Sequence, residues 1–440
     1  MKKYILFISV ILFCNNIKSQ VFQDICSTVG SSTTLKSASL LDFSDISDEP
    51  IKYVRVNLIF LRKDDGTGGF QENDPDHQQY ISDKQNNSNY FMANIPSGYD
   101  SHCYDGSSGL LDDSKIRFVY NVIYINNTSA WNNHTASGYC SALPSNLVAL
   151  NDSIIQNSSA PAINVFYTED SVPYDSIVVN QNCPINNGIP PTSCTTLPSF
   201  LNLNYNQAVH MRNHYTKYYW MMNCVVGNSY WDDPDESTVY GWLNAGRIEA
   251  HELAHNLALR DIDKPNGECA QHLMMHNSQG YGNFLSPDEI ERMHNALSLS
   301  SARKYVTADT YSNTPISVSS NTTMDEDMRI YRGINVNNGA TLEILNNVII
   351  PSETEISVSD GSNLVIDGSN VTTPNTSSIL NIAFTQNSTI SIQNSSIENC
   401  DINVGSANLT LDNSTIELGS NGEFVINSGS EFLMTNSIIQ

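Results

Sequence analysis

The sequence predicts an α/β domain followed by an all-β, parallel β-helix-like solenoid. Three observations carry this. Between residue 51 and about residue 167, short runs rich in Val, Ile and Phe alternate with stretches of helical character, the order expected of an α/β layer. From about residue 309 the composition shifts to Ser, Thr, Asn, Gly and aliphatics, with few Lys or Arg. Within that second region runs an irregular repeat: an apolar residue, another two on, Asn or a small residue two further, and an aliphatic seven after the first.

In chain order, Met1-Lys2-Lys3, the apolar run Tyr4 to Phe13 and the polar close Lys18-Ser19-Gln20 read as a secretory signal peptide over 1–19, too short to span a membrane. Bulky Phe13 before Cys14 argues against a lipoprotein anchor. Residues 20–50 form a Ser/Thr/Asp-rich lead or pro-segment. Tyr53 to Leu61 alternates as a strand, and Asp64-Asp65-Gly66-Thr67-Gly68-Gly69 is a turn. Residues 77–94 are weakly helical, Ile116 to Ile125 is a strand, Asn146 to Ile155 a short helix and Ala162 to Tyr167 a strand. Residues 170–200 read as loop. Ser286, Pro287 and Glu289 supply an N-cap, a first-turn proline and a capping box, after which Ile290, Met293 and Leu297 share one helical face. The domain therefore spans 51–308 and the solenoid 309–440. Repeats begin at Leu342, Leu364, Ile390, Leu409 and Phe432, each suited to one coil of a parallel β-helix, with Asn residues as stacked turn formers; a β-sandwich of similar short strands is the alternative.

The formal net charge is −25, and loss of the leader with its three lysines makes it −28. So acidic a surface disfavours nucleic acid and anionic membrane as partners. It suits an extracellular or cell-surface protein, and is compatible with structural Ca2+, for which Asp232-Asp233-Pro234-Asp235-Glu236 is a candidate against a plain solvated loop. Eight cysteines follow the leader, which in a secreted chain suggests disulfides; Cys183–Cys194, Cys103–Cys140 and Cys224–Cys269 are plausible pairs, and Cys400 suggests no site.

The chemistry is concentrated in His251-Glu252-Leu253-Ala254-His255-Asn256-Leu257-Ala258-Leu259-Arg260-Asp261. On a helix His251 and His255 lie on nearly one face and aim two imidazoles at one metal. Glu252 is placed to take a proton from water activated there. Zinc suits such a site, since it accepts nitrogen and oxygen ligands and keeps an open position. A continuing helix would carry Asp261 about 9 Å beyond His255; a sharp exit after Leu257 would swing it back.

This stretch resembles the metzincin signature of zinc metalloproteases in its Asp-ended, snapalysin-like form. The resemblance implies His251, His255 and Asp261 as metal ligands, Glu252 as general base, and a catalytic domain with a twisted sheet, active-site helix, methionine turn and C-terminal helix. Ala258 departs from the pattern by standing where the family has glycine, in a left-handed conformation that costs a residue bearing Cβ about 1–2 kcal/mol. Asp263, Glu268, His272 and His276 are reserve ligands. Cys269-Ala270-Gln271-His272-Leu273-Met274-Met275-His276 resembles the methionine turn, with Met274 as its methionine; His276 stands where many members have tyrosine and is a candidate oxyanion stabiliser. The ending is similar to that of pappalysin-like secreted bacterial members.

The implied function is a secreted zinc-dependent endopeptidase, a hydrolase with one catalytic Zn2+, acting on a protein or peptide substrate. The solenoid would then serve a surface or polysaccharide partner. Two alternatives stand beside it: a catalytically inactive metzincin-like adhesin or binding protein, and a zinc protease of another clan whose third ligand is Glu289 or Glu291.

Overall fold

The computed structural model describes residues 49–68, 70–96, 111–131, 145–158, 160–169, 193–195 and 208–213, then 246–247, 249–251, 253–254, 256–259, 272–274, 284–359, 361–374, 380–385 and 387–440. The run over 1–19 expected to be a leader, most of 20–50 and the acidic stretch 232–236 lie outside them, as do Cys26, Cys103, Cys140, Cys183, Cys224 and Cys269.

The N-terminal sheet is built around β1 (Lys52–Arg62), which pairs in parallel with β2 (Ile116–Asn126) on one side and β3 (Ile163–Glu169) on the other. Beyond β3 lies parallel β5 (Ala208–Asn213), and then β4 (Ser193–Thr195), antiparallel at the edge. The order is β2-β1-β3-β5-β4. The three strands expected from the sequence are present almost residue for residue. β4 falls in a stretch that reads as loop, because three residues without alternation carry no period-two signal.

β1 is covered on both faces, as its near-continuous apolar run requires. Val54, Val56, Leu58 and Phe60 pack in one cluster with Ile81, Phe91 and Met92 of α1 (Pro75–Ala93) and with the apolar face of α4 (Pro287–Leu299). Ile59 and Leu61 point the other way, toward Trp131 of α2 (Thr128–Trp131) and Leu147 of α3 (Ser145–Asn157). Helix α4 begins as its sequence dictates. Ser286 is the N-cap, Pro287 opens the first turn, and Ser286 and Glu289 form the reciprocal capping box, while Ile290, Met293 and Leu297 are buried. Among the described residues no helix is long and apolar enough to cross a membrane.

The C-terminal region is a parallel β-solenoid of about five turns with three faces per coil. One face stacks β7 (Thr322–Met324), β10 (Thr341–Ile344), β13 (Asn363–Asp367), β16 (Thr389–Gln393), β18 (Asn408–Asp412) and β21 (Glu431–Thr435), all in parallel register. That register aligns Leu342, Leu364, Ile390 and Leu409 as one ladder and Ile344, Ile366, Ile392 and Leu411 as a second, each at most 1% exposed. The next corner takes a left-handed residue in four of the coils: Gly368 (φ 66), Asn394 (φ 50), Asn413 (φ 49) and Asn436 (φ 49). Asn tolerates that region because its short polar side chain bonds locally; here Asn413 donates to Asn394 (3.0 Å) and Asn394 to Asp367 (3.1 Å).

The serine after each of these turns forms a second ladder, in which the backbone N–H of Ser369, Ser395 and Ser414 donates to the hydroxyl one coil on. One position departs from the repeat. In the coil of Leu342 the corner is a residue shorter, so Val348, and not Ile349, aligns with Val371 and is buried. β17 (Ser396–Val404) bends round a corner at Asn399 (φ 57) and serves two faces. Cys400, on that strand, is a buried thiol stacked on Leu380, pushed up to about 12 by burial and by Asp401.

The solenoid sits directly on the N-terminal domain. Tyr331 Oη donates to Leu297 O (2.6 Å), and buried Arg329 donates to the carbonyls of Arg303, Val306 and Thr307. Glu49 joins Lys52 (3.1 Å) to Arg332 (3.0 Å). Lys52 also contacts His294 Nδ1 (2.6 Å), whose Nε2–H donates to Ser114 O (2.8 Å).

Candidate metal centre

The described residues between 246 and 256 are helical. Ala250, Leu253, Ala254 and Leu257 are all buried, an i, i+3, i+4, i+7 stripe that seats this helix against the sheet. His251 leaves that stripe and is half-buried. Its Nδ1 lies 2.8 Å from Leu273 O. A carbonyl only accepts, so Nδ1 carries the proton and the ring's lone pair is on Nε2, the nitrogen a metal takes.

The helix ends in a Schellman arrangement. Leu259 N–H reaches back to Ala254 O (3.1 Å), Leu257 N–H also donates to Ala254 O (3.0 Å), and Ala258 between them has φ 77. An alanine therefore occupies the left-handed position that the sequence pattern reserves for glycine. Met274 is fully buried and follows Leu273 in a turn, so the carbonyl that holds His251 and this methionine belong to the same short segment.

Behind the helix lies a polar cluster that sequence reading does not anticipate. Glu249 is fully buried, with Lys84 Nζ 3.3 Å from its Oε2 and Tyr167 Oη donating to the same oxygen at 2.5 Å. Ser88 Oγ lies 2.8 Å from Lys84 O and 3.1 Å from Gly246 O, where a Cβ on Gly246 would collide with Asn87. Burial holds Lys84 below the usual lysine range against the pull of Glu249, and burial followed by the Glu249 charge pushes Tyr120 well above the usual tyrosine range. Lys84 and Ser88 lie on the core face of α1, and only the sequence-distant Glu249 explains why polar groups stand there.

His272 and Glu289, a reserve ligand and an alternative third ligand in the sequence reading, are engaged with one another at 2.9 Å. Glu291 is exposed on the opposite side of α4 from the buried stripe. Glu252, His255, Asp261 and His276 lie outside the described residues, as do Asp263 and Glu268. Among the described residues no three His, Cys, Asp or Glu side chains converge, and the residues expected to complete such a group around His251 are outside them. No protein-family model matches the chain, and a comparison with curated proteins gives no match.

Proposed function

We propose that this chain is a secreted zinc-dependent endopeptidase of metzincin type, with His251, His255 and Asp261 as ligands and Glu252 as general base. The observation that supports it most is the helix end at Ala258. A β-carbon at positive φ is strained, and such strain persists where the surrounding structure requires the turn. Here the turn falls three residues after His255 and three before Asp261, where a third ligand near the two histidines demands it. The Nε2 lone pair of His251 fits the donor set that zinc prefers.

Held by these residues, zinc would supply Lewis acidity toward the scissile carbonyl and would make water at the site easier to deprotonate. Glu252 would take a proton from the attacking water and pass it to the leaving amine. His276 would donate a hydrogen bond to the developing oxyanion, and Met274 would be the methionine of the turn. The leader at 1–19 supports export, which accords with the acidic charge.

Metal analysis of the purified chain with a casein digest tests this. One zinc per chain is expected. Glu252→Ala should keep the metal and slow casein hydrolysis about 10²–10⁴-fold. A variant that still cleaves at the wild-type rate, or that loses its zinc, contradicts the role given to Glu252.

A further inference from the structure

We propose that His272 and Glu289 are positioning residues that hold the metal ligand His251 through the carbonyl of Leu273. The proposal rests on the zinc reading of the site and goes beyond it, because it makes these two residues supports of a ligand and not ligands themselves.

Each link is a hydrogen bond. Leu273 O accepts from His251 Nδ1 at 2.8 Å. That carbonyl points where it does because its turn is fixed on both sides. Leu273 N–H donates to Phe284 O (2.9 Å), and Met274 N–H donates to His272 Nδ1 (3.2 Å). Since Nδ1 of His272 accepts, its proton is on Nε2, which donates to Glu289 Oε2 at 2.9 Å. The same carboxylate takes Ser286 N–H (2.9 Å) and Ser286 Oγ–H (2.8 Å) in the capping box of α4. The His272 side chain is 1% exposed and its ring stands edge-on to Phe284, 80° between planes at 5.4 Å. The ring and the carboxylate are therefore held against one another.

A capping box by itself does not require this. It forms as well at a solvated helix end, and burying a carboxylate with an imidazole adds a desolvation cost that capping avoids. What the burial achieves is a rigid connection from the first turn of α4 to the backbone that aims a ligand. Metal-ligating histidines depend on the partner of their second nitrogen, and loss of such partners weakens metal binding about 10–100-fold.

The test uses the full chain, with zinc affinity read by competition against a chromophoric chelator and the stability of the metal-free protein read by urea unfolding. His272→Ala and Glu289→Ala should each weaken zinc about 10–100-fold. The double variant should be no weaker than His272→Ala alone, since both act through one path. Glu289→Gln, whose amide oxygen still accepts from His272, should bind zinc close to wild type. Ser286→Ala, which loses a capping bond but leaves the His272 contact, should lower stability without moving zinc affinity. If His272→Ala does not fold, the contrast between Glu289→Gln and Glu289→Ala carries the test. Wild-type zinc affinity in Glu289→Ala, or an equal loss in Ser286→Ala and Glu289→Ala, overturns the proposal with the zinc reading intact. A wild-type chain that binds no zinc removes both.

Discussion

Ala258 has a positive φ and a methyl group that is 3% exposed, so two effects of similar size oppose each other there. Replacing it by glycine relieves about 1–2 kcal/mol of backbone strain but gives up a buried methyl worth about 0.8 kcal/mol and adds chain entropy to the unfolded state. Ala258→Gly should therefore change stability by less than about 1 kcal/mol in urea unfolding, with zinc affinity kept. Ala258→Val, whose branched side chain is excluded from this region, should cost about 2 kcal/mol or more. Equal stability of the two variants would mean that the left-handed turn is not present in solution. The special position is legible in the sequence through the resemblance, in which Ala258 stands where glycine makes the turn. The partner of His251 is not, since nothing in Leu273 marks its carbonyl as an acceptor.

Elements differ in how far local chemistry specifies them. The start of helix α4 is legible to the residue, because Ser286, Pro287 and Glu289 act on their own backbone. The ladders of the solenoid were readable because a parallel stack repeats one spacing; the shortened corner before Val348 was not, since two adjacent aliphatics satisfy the pattern equally. The seat of the 246–256 helix was hidden for another reason. Lys84 and Glu249 look like solvated charges until folding brings them together. Removing one member of a buried pair strands the other, which costs about 3–5 kcal/mol, whereas replacing both with apolar groups is often neutral. Lys84→Met should thus destabilise the protein by roughly that amount, and adding Glu249→Leu should recover most of it. A single variant within about 0.5 kcal/mol of wild type would show that Glu249 is not buried as described.

At the scale of the whole molecule, the junction between domain and solenoid carries two buried bases with opposite neighbours. Burial, reinforced by Lys52, holds His294 well below the usual histidine range; burial pushes Lys52 down to about 8 against the pull of Glu49. In both cases the unfolded chain binds the proton more readily, so stability rises with pH in the window between the folded and unfolded values. For His294 that rise ends near pH 6.5. For Lys52 it runs from about pH 8 toward 10 and amounts to a few kcal/mol. Above about pH 10 the shielded hydroxyls of Tyr120 and Tyr331, both raised by burial, reverse the slope, because the unfolded tyrosines ionise first. Urea unfolding across this range, with a chelator present so that ligand protonation does not contribute, should show both rising limbs. Lys52→Met should reduce the alkaline one, leaving the part that comes from buried Lys84. The composition change near residue 309 marks where the coils begin, but it does not reveal this contact, which depends on Tyr331 and Arg329 reaching back to α4 and the segment after it.

The central claim is a zinc site completed by a carboxylate, and the zinc affinity of Asp261→Ala tests it most directly. Loss of a ligand leaves two imidazoles, and affinity should fall by orders of magnitude, beyond the 10–100-fold of an indirect partner, with proteolysis lost as well. Asp261→His, which restores a third donor, should retain zinc. Wild-type zinc affinity in Asp261→Ala would contradict the assignment.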